Sequence, residues 1–261
     1  MHTAVCRIDT DAGKVARGTS ILLTVPKRPR RLDRIVAEQS PETGSAEELI
    51  RAGRVSVDGR IVDNPASLVR PGSAVTVSSP APLRGEAKLN AALQIFGVQV
   101  EGACALDVGA SAGGFTRALL AAGARRVYAV DAGHGQLIGS LRQDARVVNL
   151  ESTNLAALDA TVIPEPIQLV TIDVSYISLA SAVPQLNRIV FAPAAILLAL
   201  VKPMFELQLS RLPDAQELLE DARERALSGI EAAGWPVRQA IESPVRGSRG
   251  AVEYWILARR K

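Results

Sequence analysis

Beyond residue 100 the chain alternates short, continuous apolar runs with longer segments of helical spacing. Residues 103–108, 127–131, 147–149, 169–173, 196–201 and 252–258 are strand-length runs rich in Val, Ile, Leu and Ala. Strands without a polar face are those buried on both sides, as in a parallel sheet covered by helices. The pattern predicts a doubly wound α/β sheet. The clearest helix precedes the last run: Leu218, Leu219, Ala222, Ala226, Ile230 and Ala233 recur at helical spacing opposite Glu217, Glu220, Glu224 and Glu231, and Gly234 stops it.

The first eighty residues follow a different rhythm. Residues 3–8 and 20–25 flank an Asp- and Gly-rich middle, as the strands of a hairpin would. From Arg31 a helix is expected (Leu32, Ile35, Val36), with a break at 41–44. A second helix is opened by the capping pair Ser45 and Glu48, carries Leu49 and Ile50 inward and ends at Gly53. Strands at 55–57, 61–62 and 75–77 follow, the first two joined by Asp58-Gly59. Ser78-Ser79-Pro80-Ala81-Pro82 is a short linker stiffened by two prolines. The expected organisation is an extension at 1–30, a small α+β module at 31–77, a linker at 78–83 and the sheet domain at 84–261.

Charge sharpens this division. The net charge of +3 lies wholly in residues 1–80, with 12 Lys/Arg against 9 Asp/Glu; the remaining residues hold 18 of each. Lys27, Arg28, Arg30, Arg31 and Arg34 put five cations into eight positions, a density suited to phosphate contacts and equally to a solvated helix entry. Two cysteines, Cys6 and Cys104, make neither a disulfide framework nor a metal spacing, and His2 and His134 lack suitably spaced partners. The longest apolar stretch, residues 190–201, is interrupted by Pro193 and is too short to span a bilayer. With no secretory leader pattern, a cytoplasmic location is expected.

Candidate chemistry begins where strand 103–108 runs into Asp107-Val108-Gly109-Ala110-Ser111-Ala112-Gly113-Gly114-Phe115-Thr116, with a helix behind it. Such a loop lets main chain approach a ligand and offers free N–H groups at the helix start. The glycines stand at offsets 0, 4 and 5 rather than in the dinucleotide spacing, so an S-adenosylmethionine loop fits better than a pyrophosphate cradle. An acid at the end of the second strand, Asp131, suits ribose hydroxyls and also suits a turn.

Arg54-Val55-Ser56-Val57-Asp58-Gly59-Arg60, preceded by Leu49-Ile50-Arg51-Ala52-Gly53, resembles the S4 RNA-binding domain. That resemblance implies that Arg51 and Arg54 join the 27–34 cluster in facing RNA, although the second helix begins Ser45-Ala46-Glu47-Glu48 and is poor in arginine. The loop at 107–116 together with Asp131-Ala-Gly-His-Gly-Gln-Leu137 is similar to the TlyA family of S-adenosylmethionine-dependent, FtsJ-like RNA methyltransferases. Glu151-Ser-Thr-Asn154, Asp173-Val-Ser-Tyr-Ile-Ser-Leu179, Val201-Lys-Pro-Met-Phe-Glu206 and Val252-Glu-Tyr254 follow in the same order. The resemblance implies a Rossmann-like methyltransferase domain, S-adenosylmethionine as cofactor, and ribosomal RNA or ribosomal subunits as partner. It also implies Asp107, Gly109, Ser111, Gly113, Gly114, Phe115, Asp131 and Asn154 around the cofactor, and methylation of a ribose 2′-hydroxyl.

A ribose hydroxyl is a weak nucleophile, so a group must take its proton. Lys202 ends the apolar strand 196–201, where partial burial, the cofactor's positive sulfur and Lys88 as a second cation all favour a neutral amine. Asp173 would orient that amine, and Glu253 would hold Lys88 or the ribose. The family resemblance places a Lys-Asp-Lys-Glu tetrad on Lys88, Asp173, Lys202 and Glu253. Taken singly, a strand-end lysine is usually solvated and an aspartate after a strand is often a helix cap, whereas Glu253 beside Val252 and Tyr254 requires a partner. Arg84 is placed for an RNA phosphate or a linker salt bridge. After Glu206 the family's Gly-rich, Lys-containing loop is replaced by Leu207-Gln208-Leu209-Ser210-Arg211-Leu212-Pro213. A small-molecule O-methyltransferase and an inactive RNA-binding relative remain the alternative readings, while a pore is disfavoured by the absence of spanning helices and regular amphipathic hairpins.

Overall fold

The computed structural model describes residues 20–23, 28–39, 45–51, 54–62, 64–78 and 83–260. The expected strand at 3–8, the break at 41–44 and Lys27 lie outside the described residues. The chain divides between residues 82 and 83 into two compact units.

The first unit runs β1 (Ser20–Leu23), β2 (Arg30–Arg31), α1 (Leu32–Gln39), α2 (Ala46–Arg51), β3 (Val55–Val57), β4 (Arg60–Ile61), β5 (Leu68–Val69) and β6 (Val75–Ser78). Its main sheet has the order β1-β6-β3-β4, all antiparallel. The β3–β4 turn is of the hairpin type because Asp58 and Gly59 both take left-handed φ, 50° and 79°. Asp58 Oδ1 then accepts a hydrogen bond from Ala74 N at 2.8 Å, fastening the turn to the strand beside it. Leu32, Ile35 and Val36 of α1, spaced for one helix face, bury against Leu49, Ile50, Val55, Val75 and Val77. β1 pairs along β6, so the sheet reaches into the stretch read from sequence as an extension. β5 escaped sequence reading because two residues carry no period.

In the second unit the elements are α3 (Arg84–Phe96), β7 (Cys104–Val108), α4 (Gly114–Ala121), β8 (Arg126–Val130), α5 (Gly139–Gln143), β9 (Val147–Leu150), β10 (Ile167–Ile172), α6 (Leu179–Ala182), β11 (Phe191–Val201), α7 (Pro203–Glu206), α8 (Gln216–Ala232), β12 (Val237–Glu242) and β13 (Tyr254–Arg259). The sheet order is β12-β13-β11-β10-β7-β8-β9. Every residue of β7 is buried: Cys104, Leu106 and Val108 belong to one core cluster, and Ala105 packs with Leu89, Phe115, Leu119 and Trp255 in the other. Two covered faces explain the unbroken apolar runs.

The sheet is not wholly parallel, which corrects the expectation from the apolar runs. β7 to β11 pair in parallel, but β13 lies antiparallel between β11 and β12. Apolar continuity reports burial on both faces and says nothing of direction; β12 and β13 are joined without a long crossover helix, and such neighbours pair antiparallel. β12 itself, with Arg238, Gln239 and Glu242, is a half-covered edge strand lacking the apolar signature.

Two consequences position the site. The chain goes from β7 outward to β8 and β9, then returns to β10 on the other flank of β7, and such a reversal opens a crevice at the carboxyl ends of these two strands. Because β13 is reversed, its amino end, not its carboxyl end, meets that same edge: Tyr254 pairs with Val201.

Candidate active site

Lys88 comes from α3, Asp173 follows β10, Lys202 follows β11, and Glu253 immediately precedes β13. All four line one cavity of about 390 Å³. They form two ion pairs: Lys202 Nζ lies 2.6 Å from Asp173 Oδ1, and Lys88 Nζ lies 2.5 Å from Glu253 Oε2. The pairs differ in exposure. Lys88 and Glu253 side chains are 6% and 5% exposed, Lys202 and Asp173 17% and 20%, so the second pair is the one a substrate can reach. Lys202 Nζ also donates to Ser175 Oγ at 3.0 Å. Burial pushes the Glu253 carboxyl upward, with the Lys88 ammonium pulling it back and the Asp173 carboxylate adding to the rise. Lys88, expected as a bare cation beside Lys202, is thus largely offset by Glu253.

Beside this cavity, a cleft of about 740 Å³ lies over the carboxyl ends of β7, β8 and β10, lined by Gly109, Ser111, Asp131, Gly133, Gln136 and Asn154 among others. Its size is that of a pocket for a nucleoside-sized ligand. Gly109 takes φ 83°, and a side chain there would collide with the Asp173 carbonyl oxygen. Ser111 has φ 47°, and its N–H donates to Asp131 Oδ2 at 2.8 Å, while Gly133 N donates to Asp131 Oδ1 at 2.7 Å. Each carboxylate oxygen keeps a further lone pair for a ligand hydroxyl. Gly114 and Phe115 line a third, smaller recess that also includes Gly109 and Ser111. Phe115 is buried and stacks on Trp255 at 5.6 Å between centroids. Gly113, also expected among the cofactor contacts, lines none of these hollows; at φ 96° it caps the start of α4, and a side chain there would strike Leu141 and Leu137. Asp173 borders all three hollows.

Asp107, expected among the cofactor contacts, lines none of these hollows and is fully buried. Its position within β7 turns it into the core, where it accepts hydrogen bonds from Thr116 Oγ1 at 2.7 Å and Thr171 Oγ1 at 3.0 Å and so ties α4 and β10 together behind the loop. Burial pushes its carboxyl up to about 7, the two hydroxyls pulling only part of the way back. A folded-state value raised from the ordinary 3.8 means that this group's stabilising contribution is complete below that value and is lost as pH rises through about 7. Asp107→Asn is therefore expected to flatten the decline in stability over this range, as read from urea midpoints at stepped pH; a parallel decline in both proteins would contradict it.

The first unit's cations are partly committed. Arg30 makes a two-pronged pair with Glu38, at 2.8 and 2.5 Å, and Arg31 pairs with Asp33 at 2.5 Å. Arg28 and Arg34 are exposed, Arg54 is half-buried, and Arg51 closes α2. The cluster counted from sequence therefore presents less net charge than its five residues suggest. In the second unit, Arg84 lines the tetrad cavity and donates to Ser248 Oγ at 3.0 Å.

Several participants lacked a local signal. Ser248 is an ordinary polar residue until folding brings it to the site, and Ser175 and Gln136 were visible only as unassigned members of motifs. Glu151 was visible only inside a motif; it accepts from Gln136 N at 2.5 Å and Leu137 N at 3.0 Å, and from the Asn149 amide, bracing the turn beyond Asp131. These bonds hold its carboxyl down at about 2.

The site's sequence and shape have counterparts. The FtsJ-like methyltransferase family matches residues 82–260, and the S4 domain matches residues 30–75. The TlyA 16S/23S rRNA (cytidine-2′-O)-methyltransferase of Mycobacterium tuberculosis is 40% identical over 224 residues, covering 82% of this chain and 83% of its own. Hemolysin A of Brachyspira hyodysenteriae is 34% identical over 238 residues, with 86% and 97% covered. A solved structure of a Streptococcus thermophilus protein, named a hemolysin, superposes with a TM-score of 0.65 at 30% identity and covers 90% of each chain. Among the described residues no helix is long and apolar enough to cross a membrane.

Proposed function

The chain belongs to the TlyA family of S4-bearing, FtsJ-like methyltransferases, and from that membership we propose that it methylates a ribose 2′-hydroxyl of ribosomal RNA with Lys202 as proton acceptor. The observation that carries the reading is the Lys202–Asp173 pair, 2.6 Å apart, on the partition between the tetrad cavity and the glycine-lined cleft. Each side of that partition is suited to one reactant.

The cleft fits S-adenosylmethionine. Asp131 offers carboxylate lone pairs for ribose hydroxyls, Asn154 lines the same cleft, and Gly109 lines it with main chain packed so closely on the Asp173 carbonyl that no side chain fits between them. When bound, this cofactor supplies a methyl group on a positively charged sulfur and leaves as a neutral thioether. The protein's share of the acceleration is to hold the ribose oxygen in line and to remove its proton. Lys202 Nζ accepts that proton, and the ammonium so formed rests against Asp173 Oδ1 and Ser175 Oγ. Lys88 and Glu253, nearly sealed from water, line the same cavity and compensate each other's buried charge. The S4 unit supplies phosphate contacts through its exposed arginines, a sequence-independent contribution that weakens with salt.

Purified protein, ribosomal subunits lacking the modification and methyl-labelled S-adenosylmethionine test the reading. Label is expected in RNA as 2′-O-methyl nucleotides, recognised because the adjacent phosphodiester resists alkali. Label that accumulates only in small molecules, or on bases, would overturn it.

A further inference from the structure

Among the described residues, Glu206 joins Asp107 as a buried acid outside the tetrad, and unlike Asp107 it lies beside a tetrad residue in the chain. Glu206 is 2% exposed, and its Oε2 accepts from Leu179 N at 2.8 Å, with the Ala180 amide also directed at the carboxylate. Oε1 has no hydrogen-bond partner, and burial pushes the carboxyl above its ordinary range. A buried acid so thinly satisfied costs stability, so its placement calls for a reason.

Its neighbours supply one. Glu206 ends the single turn that begins at Lys202: Pro203 opens that turn, and the N–H groups of Phe205 and Glu206 donate to the Lys202 carbonyl at 2.9 and 3.0 Å. Leu179 and Ala180 start α6, directly after the loop that begins at Asp173 and contains Ser175. The two segments are therefore joined twice, by Lys202 to Asp173 and Ser175 at one end and by Glu206 to Leu179 at the other, with Tyr176 and Phe205 in ring contact at 5.2 Å between them. Lys202 and Glu206 share one rigid turn, so moving the Glu206 anchor rotates the stem of Lys202.

We infer that Glu206 is a positioning residue that sets the turn bearing Lys202 against the loop bearing Asp173, and so fixes where the amine meets the ribose hydroxyl. The inference rests on Lys202 being the proton acceptor. Acting through another residue, Glu206 needs an acceptor oxygen at the Leu179 N–H more than it needs a charge; the amide nitrogen of a glutamine would simply take the place of the unpartnered Oε1.

Glu206→Gln is accordingly expected to keep kcat on ribosomal subunits within about threefold, whereas Glu206→Met, similar in volume but without the acceptor, is expected to lose on the order of 10- to 100-fold in kcat, with KM for S-adenosylmethionine within about twofold. In a Lys202→Ala background the Glu206→Met loss should vanish, because the group it positions is gone. Equal kcat for the Met and Gln variants, or a full additional loss on top of Lys202→Ala, would overturn the inference. If Glu206→Met does not fold, Glu206→Asp, whose carboxylate is one methylene short, is held to the same two criteria. A Lys202→Ala enzyme of normal rate would instead refute the assignment of the base, a separate outcome.

Discussion

Lys202→Ala is expected to lower kcat for RNA methylation by roughly 10²- to 10⁴-fold, the range general-base removal usually costs, while leaving S-adenosylmethionine affinity nearly unchanged. The split follows from geometry. Lys202 lines the tetrad cavity, whereas the residues offered to the cofactor line the adjoining cleft. Lys202→Arg should not rescue, since a guanidinium stays protonated and cannot take a proton. Single-turnover methylation with saturating RNA checks the first statement and calorimetric titration of the cofactor the second. Near-normal turnover in Lys202→Ala would remove this residue from the chemistry.

The second large effect concerns the hidden pair. Glu253→Ala leaves the Lys88 ammonium with only 6% side-chain exposure and no counter-charge at 2.5 Å, a situation that costs about 3–5 kcal/mol. A fall in urea-derived unfolding free energy of that order is expected, with loss of activity following from it. Replacing both partners at once, Lys88→Met with Glu253→Leu, removes the uncompensated charge and is expected to recover most of the stability. The double variant then isolates function: stable but slow protein identifies the pair as part of the reaction's scaffold, whereas a stable and fully active one would reduce it to a packing feature. A Glu253→Ala protein as stable as the parent would contradict the burial on which the expectation rests.

What could be read from the chain, and what could not, divides along the reach of each signal. The loop after β7 was legible because its glycines, its preceding apolar run and its following helix are contiguous. Val201 and Lys202 were legible because burial stops where the strand ends. The direction of β13 was not, since parallel and antiparallel neighbours look alike when both faces are covered, and yet that reversal is what brings Glu253 to the crevice. Asp107 shows the opposite failure: it stands in the most recognisable motif of the chain, but the side to which an extended residue points depends on register, and here it points at Thr116 and Thr171. For the arginines of the first unit a residue count overstates the uncompensated charge, because the carboxylates that engage Arg30 and Arg31 sit on α1 and become partners only when β2 leads into that helix.

Asp173 borders both the hollow proposed for the methyl donor and the hollow proposed for the sugar. A residue shared in this way makes the two occupancies thermodynamically linked: whatever one guest does to the set of this carboxylate changes the affinity for the other by the same factor in both directions. Cooperativity between donor and acceptor would thus need no distant relay, because Asp173, with Ser175 beside it, serves both hollows as a party wall.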